Sequence, residues 1–319
     1  MICKLYCSAF FLFVLLTGRA AFGQQDPQFS MYMFNPLYYN PAAAGSEGVT
    51  RFQLMHRTQW AGYQPTFDDG GSPSTQLFSF NMPLARIKSG VGLYVMNDRL
   101  GPMTNQALQV SYAYRMALKN GTLSLGVQGG VYSKAIDYGR LRPREGGDPL
   151  IQTGRIAETQ PDLGAGVYYN TTDYWFGVSM MHINQAGYRL GTERGTNPQV
   201  RTAYLTGGYR LGIGYDLDVQ PSLLVKTDLN TVSVEGSVIA TYENRYWAGL
   251  SYRQQDALIA TIGLSMLRNN ALRFGYAFDF TVGGQDVKSP TSHEVLLSYS
   301  LPAPDPRRKP IIRTPRFRY

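Results

Sequence analysis

From about Thr50 to Leu301 the chain alternates. Apolar or aromatic residues take every second position of short segments, and turn residues separate the segments. Leu108, Val110, Tyr112, Tyr114 and Met116 interleave with Gln109, Ser111, Ala113 and Arg115. Leu272, Phe274, Tyr276, Phe278 and Phe280 interleave with Arg273, Gly275, Ala277 and Asp279. A period of two belongs to strands with one oily face and one polar or small face. In a soluble sandwich the oily faces would pack on each other. In an outer membrane they face lipid, and the sheet must close, because an open edge in hydrocarbon leaves backbone groups unpaired.

The N-terminus favours the membrane. Residues 1–23 read as a secretory signal peptide: Lys4 supplies the positive start, residues 10–16 form an apolar run too short to span a bilayer, and Ala21 and Gly23 suit a cleavage site before Gln24. A transmembrane anchor is the competing reading. Cys3 and Cys7 both lie in this leader, ahead of its apolar run, so the mature chain would have no disulfide, thiolate ligand or cysteine nucleophile. With 34 Gly, 23 Tyr and 16% charged residues, the composition suits a barrel whose lipid and lumen faces cancel in the average. Of 30 Lys and Arg, two lie in the leader and six in the last eighteen residues, which leaves 22 in the body against 21 Asp and Glu. The basic pI therefore reports the tail and argues weakly for nucleic-acid binding by the body.

Fourteen strands are expected, near 50–60, 74–84, 89–98, 104–116, 121–133, 162–169, 174–181, 202–211, 217–226, 232–242, 245–253, 256–266, 271–280 and 292–301. The even connections are all short. The odd ones include the long stretches near 61–73, 134–161, 182–201 and 281–291. Short turns at one end and longer loops at the other mark outer-membrane barrels, with turns periplasmic and loops outside. A sandwich has no reason to segregate loop lengths. An all-β transmembrane antiparallel barrel of about 14 strands is the expected fold, with both termini in the periplasm. The chain divides into a signal peptide (1–23), an N-terminal periplasmic or plug-like segment (24–49), the barrel (50–301) and a basic Pro-rich periplasmic tail (302–319).

A set of ordered motifs adds a resemblance. Gln25-Asp26-Pro27-Gln28-Phe29-Ser30-Met31-Tyr32-Met33-Phe34-Asn35-Pro36 is followed by Asn40-Pro41-Ala42 and Ala44-Gly45. Further on come Arg57-Thr58-Gln59-Trp60, Phe78-Ser79-Phe80-Asn81-Met82-Pro83-Leu84, Asn97-Asp98-Arg99-Leu100-Gly101, Asp162-Leu163-Gly164-Ala165-Gly166, Leu250-Ser251-Tyr252-Arg253 before Asp256-Ala257, Gly275-Tyr276-Ala277-Phe278-Asp279-Phe280 and Ser292-His293-Glu294-Val295-Leu296-Leu297-Ser298-Tyr299. Together, over about residues 25–301, they resemble the PorP/SprF family of type IX secretion system membrane proteins from Bacteroidota. The Pro- and Arg-rich tail departs from that pattern. The resemblance implies a barrel that supports secretion or surface retention of cargo, including gliding adhesins, and that associates with periplasmic components of the machinery.

Chemistry is not expected. By parity His56 continues the lipid-facing series of Phe52 and Leu54, His182 that of Phe176, Val178 and Met180, and His293 that of Val295, Leu297 and Tyr299. His182 and His293 would lie about a barrel diameter apart, too far to share a metal or a proton. No P-loop, nucleophile elbow or paired metal-ligand motif is present, and no cofactor is implied. The inward set Arg57, Arg115, Glu235, Arg253, Arg273, Asp279 and Glu294 is mixed in sign. It suits a lumen braced by ion pairs better than a selective pore, where one sign dominates.

The candidate partner-contacting residues fall in three places. In the opening segment they are Asp26, Pro27, Gln28, Phe29, Asn35, Pro36, Asn40 and Pro41. This oily stretch would plug the lumen, pack under the barrel or dock a partner. In the long loop they are Arg142 and Arg144, on a mobile loop or a cargo-contacting lid. In the tail they are Arg307, Arg308, Lys309, Arg313, Arg316 and Arg318, on an idle end or a tether for an acidic partner or anionic headgroups. Two functions stay open. One is a non-enzymatic secretion or anchoring barrel whose partners are outer-membrane lipid, adhesin-type cargo and periplasmic scaffold components, with no nucleic acid. The other is a passive channel for small hydrophobic or polar solutes with an N-terminal plug.

Overall fold

A computed structural model describes residues 26–66, 68, 70–142, 154–190, 196–284 and 288–301, and in it fourteen antiparallel strands close into a barrel. In chain order they are β1 (Arg51–Thr58), β2 (Ser74–Leu84), β3 (Ser89–Leu100), β4 (Met103–Leu118), β5 (Gly121–Asp137), β6 (Arg155–Asn170), β7 (Tyr174–Met181), β8 (Thr202–Tyr209, carried on by Leu211–Ile213), β9 (Leu217–Thr227), β10 (Val232–Tyr242), β11 (Tyr246–Arg253), β12 (Ala257–Met266), β13 (Leu272–Thr281) and β14 (Thr291–Ser300). Each strand pairs with its sequence neighbours. The seam between first and last closes from Arg51 opposite Ser300 to Thr58 opposite His293, so every strand edge finds a partner.

The alternation becomes two faces. On β4, Val110 is 53% exposed on the outer wall while Gln109 beside it is wholly buried within. On the outer wall a polar row crosses β1 to β4: Gln76 Nε2 lies 3.4 Å from His56, Asn97 Nδ2 donates to Gln76 at 2.7 Å, and Gln106 Nε2 to Asn97 at 3.0 Å. Thr159 and Ser133 continue the row on β6 and β5. Below it, β4 turns only Leu108, Val110, Tyr112, Tyr114, Met116 and Leu118 outward. At a tilt of about 40° that run spans roughly 25 Å, the height of an outer-membrane apolar band. The polar row therefore marks one membrane boundary.

Loop lengths segregate by end. The turns after β2, β4, β6, β8, β10 and β12 are short, and the long connections leave the opposite, loop end. The expected loop over residues 134–161 is shorter than the sequence suggested. The β5–β6 ladder runs on to Asp137 opposite Arg155, beyond the polar row. Those added residues have no lipid to face, so their outward positions are small or polar (Ser133, Ala157, Thr159) and the oily half of the alternation lapses. A second long connection folds over the same end. Its Gly187–Tyr188 and Asn197–Pro198 pair in a short ladder, and buried Tyr188 donates its hydroxyl to the Tyr132 carbonyl at 3.1 Å.

Candidate functional site

Inside the barrel lies the chain's own opening segment. Its sequence cannot form one long helix, because prolines at 36 and 41 keep Asn35 and Asn40 out of helical backbone. It folds instead as three single turns, Tyr32–Phe34, Pro36–Tyr39 and Pro41–Ala43, with both asparagines at the joints. Asn40 accepts from the Ala42 amide and donates to the carbonyls of Val167 (2.9 Å) and Val178 (3.3 Å), tying the segment to β6 and β7. Asn35 donates to Ser79 of β2 at 3.1 Å.

The wall is shaped to receive it. A Cβ on Gly90 would meet the Ala44 carbonyl oxygen at 2.1 Å, one on Gly126 the Ala42 nitrogen at 2.2 Å, and one on Gly166 the Asn40 side chain at 2.2 Å. Inward glycines on β3, β5 and β6 thus let two backbones touch, and Ala42 to Ala44 fill the contact with nothing larger than a methyl group. Aromatic rings complete the packing: Tyr38 stands edge-on to Phe29 and Tyr94 at 5.3 Å each, and Tyr39 to Tyr204 at 5.4 Å.

Two buried charge clusters hold the segment at the loop end. In the first, Arg57 bridges Asp279 (2.7 Å) and Glu294 (3.2 Å), and Arg253 reaches Glu235 (2.8 Å) and Asp256 (3.2 Å). The segment inserts between them. Ser30 and Met31 donate backbone amides to the two Glu294 oxygens at 2.7 and 2.9 Å, the Ser30 hydroxyl donates to Asp279 at 2.7 Å, and Gln28 donates to Glu235 at 2.8 Å. In the second, Asp26 lies 3.1 Å from His182 Nε2 and accepts from the Tyr204 hydroxyl at 3.1 Å, while Lys226 donates to the Asp26 carbonyl. His182 Nδ1 is 2.9 Å from Asp162, which also accepts from Gln109 at 2.8 Å. Burial alone would push His182 down, but the Asp26 and Asp162 carboxylates hold it up at about 10. Burial would raise Asp26, yet His182, Lys226 and Tyr204 hold it well below the usual carboxylate range.

His182 corrects an expectation. Strand parity put it on the lipid face with Met180, and the structure buries it in the lumen. β7 ends at Met181, and His182 takes a left-handed backbone (φ 56°) that turns the ring inward. His56 and His293 do lie on the outer wall. Asp26, the first described residue, sits at the loop end. The segment crosses the lumen before β1 begins, and strand counting omits that extra traverse.

The sequence-derived candidates separate clearly. Asp26, Gln28, Phe29, Asn35, Asn40 and Pro41 are buried against the barrel's own wall, with Pro27 and Pro36 half-buried beside them. Pro27 offers its carbonyl to Tyr38. Arg142 is exposed at the loop end, away from them. Arg144 and the tail residues Arg307, Arg308, Lys309, Arg313, Arg316 and Arg318 lie outside the described residues. Arg57, Glu235, Arg253, Asp279 and Glu294 meet as the inward set predicted. Asp162, Tyr204 and Lys226 were missed as site residues, although inward parity was the available signal for each.

A closed fourteen-strand barrel with an apolar outer band and a polar, occupied interior is an outer-membrane protein. Residues 21–299 match the PorP/SprF family of type IX secretion system membrane proteins, and the chain belongs to that family. None of the curated proteins compared matches it. Among solved structures it is similar to the toluene transporter TbuX of Ralstonia pickettii, at 13% identity and TM-score 0.52 over 83% of this chain and 93% of the other. It is also similar to a deletion mutant of the monoaromatic hydrocarbon channel TodX, at 10% identity and TM-score 0.50 over 86% and 94%. At such identity the likeness is one of fold.

Proposed function

We propose that this barrel is a non-enzymatic part of the type IX secretion and gliding apparatus that supports the secretion or surface anchoring of partner proteins, adhesin-type cargo among them. The observation that carries the reading is the occupied lumen. The chain's own segment occupies it and is gripped at the loop end by charges buried almost completely, so the surfaces left for partner proteins are the two rims. In the proposed orientation the turns face the periplasm and the long loops the exterior. The loop rim with Arg142 meets cargo. The turn rim and the basic tail, with Arg307 to Arg318, meet periplasmic scaffold components or anionic headgroups.

Deleting the gene tests this. Bulk outer-membrane proteins should persist while one or a few large surface proteins disappear. An unchanged surface proteome with loss of uptake of a solute would replace the proposal with the passive-channel reading. Removing residues 303–319 should preserve the heat-modifiable barrel and reduce co-purification of periplasmic partners in a salt-sensitive way.

A further inference from the structure

The turn end of the lumen holds a cavity of about 580 Å³ beneath the opening segment, ringed by the turns after β6, β8 and β10 and by the ends of β1, β12 and β13. That is the size of a small-ligand site. Its floor is aromatic: Phe34 of the segment and Trp247 of β11 lie 4.5 Å apart, tilted by 42°. The indole has a prepared seat. A Cβ on Gly263 of β12 or Gly275 of β13 would meet its ring at 2.0 or 2.7 Å.

Three arginines line the cavity, Arg51, Arg210 and Arg273. Two are engaged. Arg51 is paired with Glu47 and donates to Ser300 at 3.0 Å. Arg210 donates to the Thr172 carbonyl at 3.3 Å and lies over the Trp175 ring. Arg273 has no hydrogen-bond or ion-pair partner among the described residues. A free guanidinium therefore lines the cavity over an aromatic floor. This inference does not rest on the secretion reading.

We propose that the cavity is a binding site for a carboxylate attached to an apolar or aromatic group, entering from the turn end. The planar guanidinium of Arg273 matches a carboxylate with two parallel hydrogen bonds. Phe34 and Trp247 receive the apolar part. Asp173 and Asp218, exposed at the mouth, and Glu47, spent on Arg51, limit the site to a single negative charge, which selects against a phosphate dianion. The chemistry fits the C-terminal residue of a polypeptide or a free aromatic carboxylate.

The test is calorimetric titration of the detergent-solubilised full-length protein with three probes: 3-phenylpropionate, the peptide Gly-Gly-Ala-Phe as free acid, and the same peptide as C-terminal amide. Both acids should bind, with the amide at least tenfold weaker, and Arg273→Gln should abolish the preference for acid over amide. Tighter binding of the peptide acid than of phenylpropionate identifies a chain terminus as the source. The reverse order identifies a free carboxylate. Equal binding of acid and amide, or no binding by any probe, overturns the proposal, and that comparison needs no variant. Should Arg273→Gln lose the heat-modifiable barrel, Arg273→Met serves in its place with the same expected loss of preference, and an unchanged preference for acid over amide also overturns the proposal.

Discussion

His182 shows how one backbone torsion changes what a residue does. An extended residue after Met181 would have pointed at lipid. The left-handed turn swings the imidazole between two carboxylates, Asp26 of the segment and Asp162 of β6, with Tyr132 edge-on at 5.5 Å and Tyr204 and Lys226 beyond Asp26. Docking therefore takes up a proton. His182 is held at about 10 in the docked state against 6.5 when free. Its contribution is complete below pH 6.5 and is lost as pH rises through 10, by up to about tenfold per unit. Asp26, held low, contributes above pH 3.8 and loses its share as pH falls. Docking is expected to be tightest between about pH 4 and 6.5. A cysteine at Pro27 should react with water-soluble maleimide increasingly above pH 7 in the native protein, and a flat profile to pH 10 would refute the linkage. Arg57 is the other decisive residue. Arg57→Ala strands Asp279 and Glu294 in the interior, a loss of about 3–5 kcal/mol for a broken buried pair, which urea titration of the folded barrel would measure.

At the scale of elements, the strands were legible and the segment's docking was not. Period-two patterning located all fourteen strands, because lipid on one side enforces it. It faltered where lipid ends, at the outer halves of β5 and β6, and it could not see His182, whose torsion has no sequence period. The segment's oiliness announced burial without saying where. The cue lay in pairs of small residues far apart in the chain. Ala42 and Ala44 match Gly126 and Gly90, and a single sequence does not register such pairing. Gly126→Val makes the match testable. The branched side chain has no space against Ala42, so the segment should leave the wall while the barrel persists. The segment carries no Lys or Arg but several aromatic residues. Chymotrypsin should cut between residues 29 and 39 in the variant and spare the parent protein, and equal resistance would show that the glycine is dispensable.

For the whole molecule, the inner wall and the segment form a single packed interior, with Phe29, Met31, Tyr32, Tyr38 and Tyr39 in the same cluster as Met55, Leu77, Tyr132 and Leu224 of the wall. The barrel should conduct ions poorly as it stands. Removing residues 26–48 should open it, and the exposed Arg57, Glu235, Arg253, Asp279 and Glu294 would then line a water-filled passage of mixed charge. Planar-bilayer recordings of the two proteins check this. Porin-like conductance by the full-length chain would mean that ions pass around the segment.

The seam between β1 and β14 has a consequence for biogenesis. Arg57 on the first strand and Glu294 on the last join across it, and Ser30 and Met31 hold Glu294 from inside. The groups that meet when the cylinder shuts are those that grasp the segment, so closing the seam and docking the segment reinforce each other. The earliest described residues of the chain thus meet the latest strand, more than 260 residues away, so closure depends on contacts of very long contact order. Ser30→Pro, which removes one of the two amides on Glu294, should slow the appearance of the compact, heat-modifiable form in a refolding time course more than it lowers the final yield.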